Sequence, residues 1–295
     1  MKKTFKLIGI IALAVVTVLG IIACGEPGGG NGGGGGCSHS YGNWTTKSEA
    51  NCTTAKIEKR ICSDCNNEDT NPVGYSLGHD HFESLTCKRT GCDHQYELGD
   101  TGPAGGIIFY KDTNGFKLYQ GTNNNVASDT YITAYYLEAW TENEESSRWS
   151  WANEPNTSRT YTNVPLVQQS HNELNPTQWI GYGLRNTRLI VAAMSGNSIE
   201  TNRAAQVCYA KTVTVGSDTY NDWFLPSIDE LIKMLCILRE SEILREQNLT
   251  MVFFWSSSQL SNGARCLLFD DYYHFDQLVQ KHNISNVFVR SVRAF

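Results

Sequence analysis

Tyr220-Asn-Asp-Trp-Phe-Leu-Pro-Ser227 runs directly into Ile228, Leu231, Ile232, Leu235 and Leu238. Those apolar residues recur every three or four positions, the spacing of one helix face. Ser227 and Glu230 stand three apart, with Pro226 just before them. At that separation the hydroxyl accepts from one backbone amide while the carboxylate accepts from the other, a capping box. The stretch predicts a helix starting at Ser227, the strongest helical signal in the chain. Weaker helical patterns precede it. Residues 186–194 carry Leu189, Ile190 and Ala193, and residues 201–211 carry Ala204, Ala205, Val207 and Cys208. Strand patterns follow at 252–255, 265–269 and 287–295. Towards the N-terminus, Gly105-Gly-Ile-Ile-Phe-Tyr110, Asp112-Thr-Asn-Gly115 and Phe116-Lys-Leu-Tyr119 read as strand, Asn-Gly turn, strand. Residues 122–174 are polar and aromatic and read as long loops. Helices in the middle with strands at both ends predict one α+β domain over 99–295.

Several local patterns in this region occur together. They are Gly99-Asp-Thr-Gly-Pro-Ala-Gly-Gly-Ile-Ile-Phe-Tyr110, Tyr136-Leu-Glu-Ala139, Ile180-Gly-Tyr-Gly183 with Asn186-Thr187, and Ala204-Ala-Gln-Val-Cys208. Tyr220–Ser227, Phe254-Trp-Ser-Ser-Ser258 and Val289-Arg-Ser-Val-Arg-Ala-Phe295 complete the set. In order and spacing they resemble the Lcl C-terminal domain family, named after a collagen-like bacterial surface adhesin. The resemblance implies a C-type-lectin-like fold, of the group that includes formylglycine-generating enzymes. It also implies surface binding; the founding member is similar to a glycosaminoglycan-binding adhesin. Trp223-Phe-Leu-Pro-Ser227 has the place of a strand-to-helix turn in that group. Two departures stand out. The domain carries 15 basic and 20 acidic residues, which disfavours a polyanionic sugar. Gly99, Gly102 and Gly105 make too few triplets for a collagen helix and read as a turn-rich entry to the first strand.

Residues 37–98 are rich in Cys, His, Asn and Thr and poor in aliphatic side chains, so they need staples to fold. Cys62-Ser-Asp-Cys65 and Cys87-Lys-Arg-Thr-Gly-Cys92 are two close pairs some twenty residues apart, with His79, His81 and His94 nearby. That is the spacing of a zinc ribbon. In an exported chain disulfides, with Cys37 and Cys52 as further candidates, are the first reading of such cysteines and zinc the second, and both stay open. His39-Ser-Tyr-Gly-Asn-Trp44, Cys52, Arg60-Ile-Cys62-Ser-Asp-Cys65 and Gly78-His79 look like a small cysteine-containing repeat of bacterial surface proteins. That resemblance implies a β-rich spacer.

The N-terminus sets the expected location. Lys2, Lys3 and Lys6 precede an apolar run over 7–23 that ends in Ile21-Ile-Ala-Cys24. This is the layout of a secretory signal, residues 1–23. The end of the run resembles a lipobox, which implies cleavage before Cys24 and acylation of its thiol. The expected location is a bacterial membrane, most simply the outer membrane and cell surface, reached through that lipid. Residues 24–36 are nearly all glycine after Cys24, a flexible tether of roughly 20 Å root-mean-square span. Taking three lysines from 24 basic residues leaves 21 against 30 acidic ones. So acidic a chain is not expected to bind nucleic acid.

Catalytic signatures are missing from the sequence. It has no G-x-S-x-G elbow, no H-E-x-x-H and no P-loop. His171, His274 and His282 are scattered. Asp270 and Asp271 are adjacent, so on a strand they would face opposite ways. Cys208, Cys236 and Cys266 invite comparison with the copper-binding cysteine pair of formylglycine-generating enzymes. Cys208 and Cys236 lie in helix patterns that bury them, and a disulfide between two of the three is the simpler expectation. Glu154-Pro155-Asn156 matches a sugar-binding tripeptide of mannose-type lectins. Calcium needs several more oxygens, so no calcium site is expected. Trp140, Trp149, Trp151, Tyr161 and Trp179 are the candidate ligand-contacting aromatics, able to stack on sugars or anchor a protein. The sequence therefore points to a non-enzymatic, surface-displayed binding module for a glycan or an extracellular protein. No cofactor is expected; structural zinc in 37–98 stays open as the alternative to disulfides. The alternatives are an oxidoreductase of the formylglycine-generating type and a structural envelope protein.

Overall fold

The computed structural model describes residues 39–122, 126–144, 167, 169, 174–194, 203–240, 252–260, 263–269, 274–280 and 287–295. The expected signal segment, Cys24, the glycine-rich stretch after it and Cys37 lie outside the described residues. So do Trp149, Trp151, Tyr161, the Glu154-Pro155-Asn156 tripeptide, His171, His282 and Asp270-Asp271. Among the described residues, no helix is long and apolar enough to cross a membrane.

The chain is a mixed α+β structure. The cysteine-rich segment forms an antiparallel meander of β1 (Thr45–Ser48), β2 (Lys56–Ile61) and β3 (Glu68–Val73), followed by irregular chain to residue 98. The larger region opens with β4 (Ile107–Tyr119) and β5 (Tyr131–Ala139). Helices α1 (Gly183–Met194) and α2 (Ala204–Ala210) follow, then a hairpin of β6 (Val213–Val215) and β7 (Asp218–Tyr220), then α3 (Ile228–Glu240). The tail contributes β8 (Val252–Leu260), β9 (Gly263–Phe269), β10 (His274–Gln280), β11 (Val287–Phe288) and β12 (Val292–Ala294). One sheet has the order β12-β5-β4 and another β10-β9-β8-β11.

The cap of α3 forms as its sequence predicts. The Ser227 amide donates to Glu230 Oε2 at 2.7 Å, and the Glu230 amide donates back to Ser227 Oγ at 3.4 Å. Leu231, Met234, Leu235 and Leu238 turn into the main core, where they meet Phe109 and Leu118 of β4, Leu137 of β5, and Phe254 and Leu267 of the tail sheet. A second core joins α1 and α2 to the tail sheet through Ile190, Ala204, Ala205, Cys208, Leu225, Trp255 and Cys266.

Three sequence expectations change. The Asn-Gly turn does not reverse the chain into a hairpin. Lys111 pairs with Tyr136 and Phe116 with Ala134, so residues 112–115 swing out of β4 and return to the same partner strand. The Asp112 side chain accepts from the Asn114 amide and Gly115 takes φ +75°, which makes the excursion tight. Phe116 then packs on the core that already holds Phe109. Secondly, residues 131–139 form strand β5 in a region expected to be loop. Tyr131-Ile-Thr-Ala-Tyr-Tyr-Leu-Glu-Ala139 is dense in β-formers. It is buried on both faces at its C-terminal end, so its pattern does not alternate. Thirdly, the tail 287–295 divides between sheets. β11 runs parallel to β8, and β12 runs antiparallel to β5. The crossing is held by buried Arg290, which donates to the Thr141 carbonyl and Asn143 Oδ1.

The module and the larger region share a third core of Tyr96, Ile108, Tyr136 and Phe295, with Leu85 packed against it. Tyr136 Oη donates to the Leu85 carbonyl at 2.6 Å. Tyr136→Phe is expected to lower unfolding stability by about 1 kcal/mol, the net value of one such bond, in equilibrium urea denaturation.

Candidate metal centre in the cysteine-rich module

The structure separates the two cysteine pairs. Cys62 and Cys65 gather with His39, while Cys87 and Cys92 gather with Cys52 and His79. In each group the possible ligand atoms lie within 4.8 Å of one another.

In each pair a backbone amide two residues on reaches the first sulfur. Cys62 follows directly on β2, and its amide donates to the Asn67 carbonyl. Asn66 takes φ +59° to close the turn. Burial pushes the Cys62 thiol up, but the amides of Asp64 and Cys65 and the His39 ring outweigh it and bring the thiol down to about 6. His39 Nδ1 lies 3.2 Å from Cys65 Sγ. In the second pair the Arg89 amide again points at the sulfur two residues back. Burial opposes ionisation of Cys87, and the amides of Arg89 and Asp80 prevail, so its thiol is also lowered. A thiolate held by backbone amides is the form that ligates metals.

Cys52 comes from the loop after β1 and His79 from the segment after β3. Cys52 Sγ is 3.8 Å from Cys87 Sγ, and Cys92 Sγ is 3.3 Å from His79 Nδ1. Burial, and then neighbouring thiol groups, push the Cys52 thiol up to about 12. Burial, then the neighbouring His94 and Arg89, lower the His79 pKa, so its ring is neutral and able to donate a lone pair. Arg89 reaches the carbonyls of Gly78 and Leu77 at 3.1 and 2.8 Å, which brings a fixed positive charge to the cluster. His79, His81 and His94 also sit together. There, however, His81 Nε2 and His94 Nδ1 already face each other at 3.2 Å, and His94 stacks on His79 with ring centres 3.8 Å apart.

Comparison with protein-family models, curated proteins and solved structures finds no match for this chain. The site must therefore be read from its own geometry.

The patterns singled out in the larger region prove to be a buried polar scaffold. Glu230 Oε1 accepts from the amides of Gly181 and Gly183. Glu138 accepts from the amides of Ala104 and Gly106 and from Arg293. Arg293 continues to Asp222, and Arg185 pairs with Asp129 at 2.7 Å, both fully buried. Cys208 and Cys266 share the second core, and burial pushes each thiol up to about 12. Cys236 is half-buried on α3. Of the candidate ligand-contacting aromatics, Trp140 packs edge-on against buried Trp223 beneath Lys211 Nζ, 4.2 Å from its ring. The Trp179 amide donates to Asp229, and its ring meets Tyr182 edge-on. Both are therefore tied to the domain.

A cleft of about 260 Å³ lies where the module meets the larger region. Phe82 from the module faces Gln120, Arg188, Tyr209, Asn221 and Asp222 across it. These residues come from five separate stretches, of which only Asn221-Asp222 falls in a pattern that the sequence singles out.

Proposed function

We propose that this protein is a lipid-anchored, surface-displayed binding module for a glycan or extracellular protein, and that its larger region is C-type-lectin-like. The observation that carries the reading is the cleft at the seam. It combines exposed aromatic rings, Phe82 and Tyr209, with amide, guanidinium and carboxylate groups. Aromatic faces with a few hydrogen-bonding groups suit sugar rings or a protein loop. The lectin-like reading rests on Trp223-Phe-Leu-Pro-Ser227 leading into capped α3, with Phe224 bridged to Val292. The non-enzymatic reading draws support from the carboxylates Glu138 and Glu230, which are spent on backbone amides, and from the raised thiols of Cys208 and Cys266. Structural zinc is proposed below; no calcium ligation is proposed.

The test is a glycan and matrix-protein array probed with the full chain in detergent. A ligand whose binding falls at least tenfold in Phe82→Ala and Tyr209→Ala supports the proposal. No binder across the array, or binding indifferent to both substitutions, overturns it. Anchoring is tested separately. Cys24→Ala is expected to block processing and acylation; continued maturation and membrane retention of a mature Cys24→Ala form would overturn the anchor.

A further inference from the structure

We propose that Cys52, His79, Cys87 and Cys92 form a closed four-ligand zinc site that fastens the irregular half of the module to its sheet. Tetrahedral zinc has Zn–S bonds of about 2.3 Å and Zn–N bonds of about 2.0–2.1 Å, so ligand sulfurs stand about 3.8 Å apart and sulfur and nitrogen about 3.6 Å apart. The observed separations are 3.8 Å for Cys52 Sγ to Cys87 Sγ and 3.3 Å for Cys92 Sγ to His79 Nδ1. A disulfide requires about 2.05 Å between sulfurs, a spacing that the Cys52–Cys87 pair does not have. A disulfide would also use two of three clustered thiols and give the histidine no role.

The surroundings fit a metal as well. Three thiolates and one neutral imidazole around Zn²⁺ leave one net negative charge, and Arg89 is locked beside it through the carbonyls of residues 77 and 78. His94 stacks on the ligand ring and fixes its plane. The Cys87 amide donates to the His94 carbonyl and the Lys88 amide to the Asp80 carbonyl, which ties the two ligand-bearing loops together. Four protein ligands leave no open position, so the site is structural rather than catalytic. The His39, Cys62 and Cys65 group supplies three donors in a separate place and is not needed for this site.

The metal also has a mechanical consequence. Residues 80–96 carry Phe82 to the cleft and Leu85 and Tyr96 to the shared core. They have no strand of their own, so zinc replaces the core that this segment cannot build.

The experiment uses the full chain in detergent, with metal measured by inductively coupled plasma mass spectrometry. Wild type is expected to hold one equivalent of zinc more than Cys87→Ser, and the same difference is expected for Cys92→Ser. A high-affinity chelator is expected to release that zinc and to expose residues 74–98 to protease. Because Cys87→Ser chains could fail to fold, cobalt(II) is also loaded into the Cys62→Ser chain, which disables the other cluster. Intense visible bands with thiolate charge transfer support the site. Equal zinc contents in wild type and variants, no thiolate band in the cobalt form, or a mapped disulfide involving Cys52, Cys87 or Cys92 would each overturn it.

Discussion

Glu230→Ala is expected to lower unfolding stability by about 3–5 kcal/mol, because it strips a buried acceptor from several backbone donors at once. The carboxylate is fully buried. It takes Ser227 on Oε2 and Gly181 and Gly183 on Oε1, at 2.7, 2.8 and 3.3 Å. One side chain thereby caps α3 and fixes the turn that launches α1. Glu230→Gln keeps the shape but turns an amide N–H₂ towards one of those donors, so it is expected to cost about 2 kcal/mol. Burial, working against the three amides, raises Glu230 from 4.5 to about 7. The folded value thus lies above the unfolded one. As pH rises from about 4.5 to about 7, the unfolded chain releases this proton while the folded chain keeps it, so the group's contribution to stability falls across that window and is flat above it. Urea denaturation of wild type and Glu230→Gln at pH 5 and pH 8 reads this directly. The advantage of wild type should be larger at pH 5, and an advantage equal at both pH values would show that the carboxylate ionises normally.

The second large effect is expected at Arg293 and Glu138. Arg293 joins Glu138, at 3.1 Å, to Asp222, at 2.8 Å, and so links β5, β12 and the segment entering α3. Glu138 meanwhile holds the Ala104 and Gly106 amides in the glycine-rich turn before β4. That turn needs glycine for space. A Cβ on Gly102 would meet the Glu138 side chain at 2.5 Å, and one on Gly106 would meet the Ala139 carbonyl at 2.4 Å. Burial raises the Glu138 pKa and Arg293 opposes it, so removing the arginine leaves a carboxylate that its surroundings no longer support. Arg293→Met is expected to cost about 3–5 kcal/mol. Combining it with Glu138→Gln is expected to cost clearly less than the two single changes together, because both charges then leave the core. A double-mutant cycle by chemical denaturation checks this, and strict additivity would sink the idea.

These two networks explain why the chain's recurring patterns stand out. Gly102 to Gly106, Glu138, Gly181 and Gly183, Asp222, Ser227 with Glu230, and Arg293 all lie within them. They are the donors and acceptors of two buried polar networks, and several need neighbours without a side chain. Their meaning in the sequence is first a matter of folding. The cleft takes Phe82, Gln120, Arg188 and Tyr209 from outside those patterns and Asn221 and Asp222 from within them.

What the sequence determined by itself is whatever depends on near neighbours. The cap of α3 and its apolar face form from residues three and four apart. The close cysteine pairs likewise make their turns alone, since an amide two residues on reaches the first sulfur in each. The tertiary structure decided what those pieces face. It divided the pairs between two clusters, because the meander brings Cys52 and His79 to one side and His39 to the other. It made residues 131–139 a central strand, because burial on two faces removes the alternation that marks a strand in sequence. It also drew the final residues across to β5, since a buried arginine and a free strand edge offer partners that lie some 150 residues away in the chain. Short-range geometry is written residue by residue, whereas pairing between distant segments depends on which surfaces and polar groups the whole chain leaves to be covered.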